Sequence, residues 1–454
     1  LSQAPNLLIV YPDQFRSQAI GCMRQDPVIT PNLDRLATGG LVLTAAVSNR
    51  PVCSPHRAML FTGKYPCANG VLGNCNSRNT AFGNELRADE VCLSDVLAAA
   101  GYDMGYIGKL HLDSPREPYE HTEGLRGDGL AWDAYTPPGP RRHGFGFWHS
   151  YGCCDNHMHP HYWHGDAPLE ARTDVAEWSV KHETDVAVDF IRGRSRRQGR
   201  PFGLFVAYNP PHTPFEQVPQ EHVRQYGSAQ WQDLLTRPNL ASEETPAGRA
   251  SRRHARNYFA AVTGVDHHVG RLLAALDEQE LSDNTIVIFT SDHGEMLGSH
   301  GLMHKVVWHE ESMRVPMIVR WPRKLAPRRD DVLVSTPDIM PTLLSMMGFA
   351  DRCPAGVQGL DLSSTLLTGE GPRPDAALYL NVPAGDPAGG DRGLVTPTHT
   401  FVVRRAAGEV QTILHDNRND PYQLRNIAPE KPAMCRELLG QLHSRLADVG
   451  DPWR

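Results

Sequence analysis

"NTIVIFTSDHGEM", residues 284–296, carries a short apolar run that breaks directly into an aspartate and a histidine. The run reads as a buried strand, with Asp292 and His293 standing at its carboxyl end. A long amphipathic pattern, roughly Arg256 to Leu276, precedes it as a helix. The same arrangement recurs along the chain. "NLLIVYPDQ" (6–14) is a buried strand running into Asp13 and Gln14. "LSDVLAAAGYDMGYIGKLH" (93–111) is helix, glycine stop and strand, with Lys109 and His111 just beyond. "RPFGLFVAYNPPHTPF" (200–215) is a strand opening onto His212. Apolar runs alternating with helical patterns are the mark of an α/β fold, a large mostly parallel sheet flanked by helices. In open sheets of this kind ligands bind in the crevice outside the carboxyl ends of the strands. These scattered groups are therefore expected to converge.

Other segments fit the same frame. "TPNLDRLATGG" (30–40) reads as a helix with Thr30 as cap, Pro31 in the first turn and Gly39 at the end. "VPMIVRWP" (315–322) is a further strand and "TPDIMPTLLSMMG" (336–348) a further helix. Beyond about residue 365 the texture changes. "ALYLNVP", "GLVTPTHTFVVRR" and "VQTILHD" look like short strands between Gly/Pro turns, followed by a final helix near Met434 to Val449. The expected organisation is a catalytic domain over residues 1–365 and a C-terminal antiparallel α+β subdomain over 366–454.

The bulk composition excludes some functions. Lys and Arg number 45 against 52 Asp and Glu, a net charge of −7, which argues against a nucleic-acid surface built on bulk basicity. No apolar run approaches the roughly 18 residues of a membrane span. Nine cysteines in a long chain are not a small disulfide scaffold, although Cys67 and Cys75 lie close enough for a local bridge. The chain opens at Leu1 with neither a basic segment nor an apolar leader, and cysteine usage leaves the compartment undecided. A periplasmic or secreted setting is favoured over the cytoplasm.

Chemistry gathers around "PVCSPHRAMLFTG" (51–63), where Cys53 stands in front of a helix with Ser54 as its cap, Pro55 at its first position and Gly63 at its end. A thiol at a helix start is favoured as an anion. Asp13, Gln14, Asp292 and His293 offer two carboxylates, an amide oxygen and an imidazole. That set suits a hard divalent ion, Ca²⁺ or Mg²⁺, and one histidine also admits Mn²⁺. Arg57, Lys109, His111, His212 and Lys305 add cations and imidazoles. A metal, several cations and a helix N-terminus together describe a pocket for a tetrahedral oxyanion ester.

These motifs resemble the sulfatase family. "CSPHR" followed by "MLFTG" is similar to its Cys-x-Pro-x-Arg signature, and "GYIGKLH" to its Gly-Lys-x-His motif. "NPPHTPF" resembles the segment carrying another active-site histidine, and "TSDHGEMLGSHGLMHK" the metal-ligand block with its lysine. "DPYQLRNIA" (420–428) resembles a C-terminal element. The resemblance implies an alkaline-phosphatase-like α/β sandwich. It implies that Cys53 is oxidised by a formylglycine-generating maturation enzyme to Cα-formylglycine. One hydroxyl of the hydrated aldehyde would attack sulfur, and the other would then expel sulfate. It places the ion, Ca²⁺ first, on Asp13, Gln14, Asp292, His293 and the modified Cys53. Arg57 and Lys109 would hold the diol and sulfate, His111 would assist elimination, and His212 with Lys305 would bind sulfate and protonate the leaving oxygen. His56 stands where relatives usually carry Ser, Thr or Ala, and Gln14 and His293 replace the Asp and Asn of many of them.

"HSYGCCDNHMHPHYWHGD" (149–166) is rich in histidine and, with Cys153 and Cys154, admits a zinc-type site, although its spacing matches no standard pattern. The expected role is instead an insertion at the pocket mouth, where histidines, Asn156, Tyr162 and Trp163 meet a sulfated carbohydrate. Two other functions fit the same residues. One is a phosphonate monoester or phosphodiester hydrolase; the other is a non-catalytic sulfate-ester-binding homologue in which Cys53 is never converted.

Overall fold

The computed structural model describes residues 4–117, 129–194, 200–406 and 408–453. Its main sheet has ten strands: β1 (Asn6–Val10), β2 (Leu41–Val47), β3 (Asp103–Lys109), β4 (Phe147–Tyr151), β5 (His161–His164), β6 (Thr173–Asp174), β7 (Phe202–Ala207), β8 (Thr285–Phe289), β9 (Ile318–Arg320) and β10 (Arg328–Ser335). Their spatial order is β10-β2-β9-β8-β1-β7-β3-β4-β5-β6. Only β9 and β5 run against the common direction. The central strands are apolar throughout because both faces are buried. In β1, Leu7 and Ile9 enter one core while Leu8 and Val10 enter the other; in β8, Ile286 and Ile288 oppose Val287 and Phe289 in the same way.

Helices close both faces. One core takes Ala58, Leu60 and Phe61 from helix Cys53–Thr62 and Leu343 and Leu344 from helix Ile339–Met347. The other takes Leu33 and Leu36 from helix Pro31–Thr38, Ile191 from Ser179–Arg194 and Val262, Val265 and Leu272 from Pro246–Glu278. That last helix begins ten residues earlier than its apolar period suggests. Pro246 occupies its first turn and the Thr245 hydroxyl accepts from Gly248 N at 3.0 Å, so capping sets the boundary where the Arg-rich first turns give no periodic signal.

Helix Cys53–Thr62 also starts differently. Val52 is its N-cap, Cys53 is its first residue, and Ser54 lies inside the first turn, where its hydroxyl accepts from Cys75 N at 3.0 Å. Pro55 is tolerated there because first-turn N–H groups have no intrahelical acceptor. Gly63 ends the helix in the left-handed region, φ +63, as expected. Thr30 does flank helix Pro31–Thr38, but its hydroxyl accepts from Gly21 N instead of capping.

A second sheet, β11 (Ala377–Asn381), β12 (Asp391–Val395), β13 (His399–Ala406) and β14 (Glu409–Asp416), is an antiparallel meander. Helix Pro432–Asp448 packs on it through Leu438, Leu442 and Leu446. All nine cysteines are free, so the Cys67–Cys75 bridge does not form. Cys75 donates instead to Asn84 O, and Cys67 points to Asp451.

Two consequences are measurable. Gly108, φ +97, sits in β3 where a Cβ would lie 2.3 Å from the Ala207 carbonyl oxygen. Gly108→Ala is therefore expected to cost about 3 kcal/mol in a urea titration, because it combines left-handed strain with overpacking. Burial foremost, with neighbouring histidines, pushes His149 and His268 down to about 3. Their folded values lie below the unfolded value near 6.5, so each stabilises the fold fully above about pH 6.5. That stability is lost as pH falls towards 3, at up to about 1.4 kcal/mol per pH unit per group. Unfolding titrations across pH 4–7 should therefore show net proton uptake on unfolding.

Candidate active site

The carboxyl edge of the main sheet delivers the polar groups together. Asp13 and Gln14 follow β1, Lys109 closes β3 with His111 just after it, His212 follows β7, and Asp292 and His293 follow β8. Cys53 and Arg57 come from the first turns of helix Cys53–Thr62, and Lys305 lies at the end of the loop after His293. Asp13, Cys53, Asp292 and His293 place one donor atom each within 4.8 Å of one another, all of them buried.

Each carboxylate is divided between two tasks. Asp13 Oδ2 accepts from Lys109 Nζ at 2.6 Å and Arg57 Nη2 at 3.1 Å, and Asp292 Oδ2 accepts from Arg57 Nη2 at 3.0 Å and Nε at 3.2 Å. Their other oxygens face His293 Nε2, at 3.3 Å from Asp13 Oδ1 and 3.6 Å from Asp292 Oδ1. His293 Nδ1 donates to Gly294 O at 2.9 Å, which turns Nε2 inward towards the carboxylates. Cys53 Sγ adds a fourth donor, 3.4 Å from His293 Nε2 and 3.7 Å from Asp13 Oδ1. Lone pairs converging in a buried space call for a cation, and oxygen with one imidazole fits a hard divalent ion.

The electrostatics show how strongly the carboxylates draw positive charge: burial opposes it, yet Asp292 raises His293 to about 10, and an ion on Nε2 would take the place of that proton. Burial would raise Asp13, but Lys109 foremost holds it well below the usual carboxylate range. Burial and the neighbouring Asp13 push Asp292 up to about 6. The two carboxylates shift apart because like charges in one buried space resist ionising together. Cys53 is lowered although burial and Asp13 oppose it, because Lys305, Lys109 and His293 surround it.

A second group sits beside the first. Lys305 Nζ donates to Gln14 Oε1 at 2.7 Å and to His212 Nε2 at 2.9 Å. His212 Nδ1 points to Thr213 O at 2.8 Å, and burial and Lys305 push this ring down to about 3. The proton between these two residues therefore belongs to Lys305. His111 Nε2 lies 2.9 Å from Cys75 O; burial opposes its charge, yet Cys153 and Cys53 raise it to about 9. Asp13, Gln14, Cys53, Arg57, Lys109, His111, His212, Asp292, His293 and Lys305 thus lie in one cluster.

Several partners carry no signal of their own in the sequence. Asn209 accepts from Lys109 Nζ at 3.1 Å, and its place between β7 and His212 is the one clue to it. Tyr11 and Tyr106 hydroxyls meet at 2.6 Å beneath the site, and Tyr106 and Arg57 Nη1 both donate to Lys109 O at 2.6 Å. Glu295 anchors Gln14. His56 turns from the cluster, its Nδ1 on Ser48 Oγ at 2.9 Å and Thr336 Oγ1 at 3.2 Å.

The histidine-rich segment needs correction. Tyr162 and Trp163 are buried and offer no platform to a sugar. They belong to β5, where Tyr162 donates to Glu183 at 2.9 Å and Trp163 to Leu169 O at 2.8 Å. The histidines do not gather with Cys153 and Cys154 into a metal group among the described residues. His157 instead holds His212 O at 2.9 Å, and Asp155 stands 3.4 Å from His212 Nδ1. The segment buttresses the site from behind. Asn156 and His159 remain at least partly accessible.

Asp13, Cys53, Asp292 and His293 would hold a divalent ion, which would supply Lewis-acid polarisation to a tetrahedral oxyanion ester, with Arg57, Lys109 and Lys305 as cations around it. On a mostly parallel sheet, this is the class of alkaline-phosphatase-like ester hydrolases. Similarity narrows the class. The family model described as Sulfatase matches residues 5–349, and that of the N-sulphoglucosamine sulphohydrolase C-terminal region matches 298–451. The chain belongs to the sulfatase family. An endo-4-O-sulfatase of Bacteroides thetaiotaomicron is 39% identical over 100% of this chain and 94% of its own. An ulvan-active sulfatase of Formosa agariphila is 32% identical, over 99% and 82% respectively. A Bacteroides fragilis protein solved as a candidate sulfatase, yidJ, superposes with a TM-score of 0.95 at 43% identity, covering 99% of this chain and 97% of that one.

Proposed function

We propose that this sulfatase releases inorganic sulfate from a sulfated carbohydrate, using Cα-formylglycine made from Cys53 and one divalent ion, Ca²⁺ first. The observation that carries this reading is the position of Cys53 Sγ: it lies at a helix start, in contact with the acceptor nest and facing Lys305 and Lys109. The hydrated aldehyde supplies the attacking hydroxyl, and the ion supplies Lewis-acid polarisation of the sulfate oxygens.

The chain's own residues do the rest. Arg57 keeps both ion-binding carboxylates ionised and correctly turned. Lys109 neutralises charge beside the nucleophile. Lys305, with its ammonium held by His212 and Gln14, donates the proton to the leaving alcohol oxygen, and neutral His212 accepts that ammonium's hydrogen bond. His111, beside Cys53, assists the elimination that restores the aldehyde. Relatives named as an endo-4-O-sulfatase and an ulvan-active sulfatase support a glycan substrate.

The test is sulfate release, read by ion chromatography, from a panel of sulfated mono- and oligosaccharides with matured protein. Aryl phosphonate and phosphodiester serve as comparators. A preference for a carbohydrate sulfate supports the reading, whereas a preference for the phosphorus esters refutes it. Chelation with EDTA should remove activity, and Ca²⁺ should restore it; activity persisting through exhaustive chelation would exclude the ion's role.

A further inference from the structure

Gln14 has every polar group committed. Its backbone N–H donates to Asp292 Oδ1 at 3.1 Å and its carbonyl accepts from Tyr258 at 3.0 Å, which fixes the residue at φ +63. Its amide Nε2 donates to Glu295 Oε2 at 2.5 Å, and its Oε1 accepts from Lys305 Nζ at 2.7 Å. An ammonium only donates and a carboxylate only accepts, so the amide can face only one way. Glu295 is fully buried. Its Oε1 accepts the backbone N–H groups of Leu297 and His304, each at 2.8 Å. Those two residues have φ of +44 and +68, in the loop that ends on Lys305. His304 Nδ1 stands 4.0 Å from Glu295 Oε2.

We propose that Glu295 is a positioning residue: it turns the oxygen of the Gln14 amide towards the ion position and ties that orientation to the loop presenting Lys305. This rests on the reading that Gln14 helps to hold the ion. A glutamine at 295 has the same shape but one acceptor oxygen. The two backbone N–H groups would claim that oxygen, and its NH₂ would then meet the NH₂ of Gln14. Gln14 must flip to resolve the clash of donors, and a flipped amide turns N–H groups towards an ammonium and a cation. A Gln14→Glu change alone sets two carboxylates against each other. Combined, Gln14→Glu with Glu295→Gln restores the complement, because a carboxylate at 14 accepts from the new amide and still offers an oxygen inward.

The experiment compares wild type, E295Q, Q14E and the Q14E/E295Q pair. The readouts are Ca²⁺ and Mn²⁺ affinity by calorimetry, melting without added ion, and kcat and KM. Glu295→Gln should weaken ion binding about 10–100-fold and lower kcat comparably. Q14E should also be impaired, and the double variant should return to within about threefold of wild type in ion affinity. A double variant no better than E295Q, folded or unfolded, overturns the proposal; so does an E295Q that binds ion like wild type, or a wild type that binds neither ion. The affinity ranking does not depend on which ester is cleaved. A wild type that binds ion normally but releases no sulfate would defeat the proposed reaction and leave the Glu295 result standing.

Discussion

Cys53→Ala lowers steady-state sulfate release by about 10⁵-fold or more, while the protein keeps its fold and most of its ion affinity. The size of the effect follows from the reading that all bond-making passes through this one side chain. Its neighbours could hold the ester but could not attack it. The fold survives because the Sγ contacts are long, 3.4 Å to His293 Nε2 and 3.7 Å to Asp13 Oδ1, and the other ion donors stay. Cys53→Ser should be equally slow in turnover, since a single hydroxyl has no second one to expel sulfate. Single-turnover sulfate release, calorimetry with Ca²⁺ and a melting curve check all three parts. A Cys53→Ala protein with wild-type turnover would end the mechanism.

Arg57→Ala comes next in size and acts on stability as well as rate. Its guanidinium spans Asp13 and Asp292, is fully buried, and donates to Lys109 O. Truncation leaves two buried carboxylates short of a partner, and breaking a buried pair in this way costs about 3–5 kcal/mol. Turnover should fall about 10³-fold, because Lys109 loses the anchor on its carbonyl and the charge balance at the ester changes. Arg57→Lys keeps the charge but cannot fork between two carboxylates, so it should recover part of the stability and little of the rate. Urea titrations with and without Ca²⁺ separate the effects, since bound ion compensates for the missing cation and the loss should be smaller in its presence.

The central sheet was legible because its short strands are apolar on both faces and end abruptly in Asp13, Lys109, His212 and Asp292. Those endings also gave the site, since a parallel sheet brings its carboxyl ends to one edge. Partners drawn from within a loop were not legible. Glu295 stands three residues from Asp292, yet its task depends on where Gln14, Leu297 and His304 lie in space. Tyr11 and Tyr106 look like core aromatics in sequence, and only their meeting beneath Lys109 gives their hydroxyls a function. The histidine-rich stretch misled because composition alone suggested a sugar platform. β5 pairs with β4 and buries Tyr162 and Trp163, and that pairing has no local marker. The early start of helix Cys53–Thr62 was missed for a related reason: Ser54 is a good cap by type, but Cys75 N claims its hydroxyl.

In the proposed mechanism Cys53 acts as an aldehyde in a carbohydrate sulfatase. Mass spectrometry of the peptide containing Cys53, from protein purified out of its native host and assayed in parallel, tests this most directly. The expected result is an aldehyde in place of the thiol, with specific activity rising in proportion to the converted fraction. Full sulfatase turnover from protein whose Cys53 is entirely unmodified would contradict it.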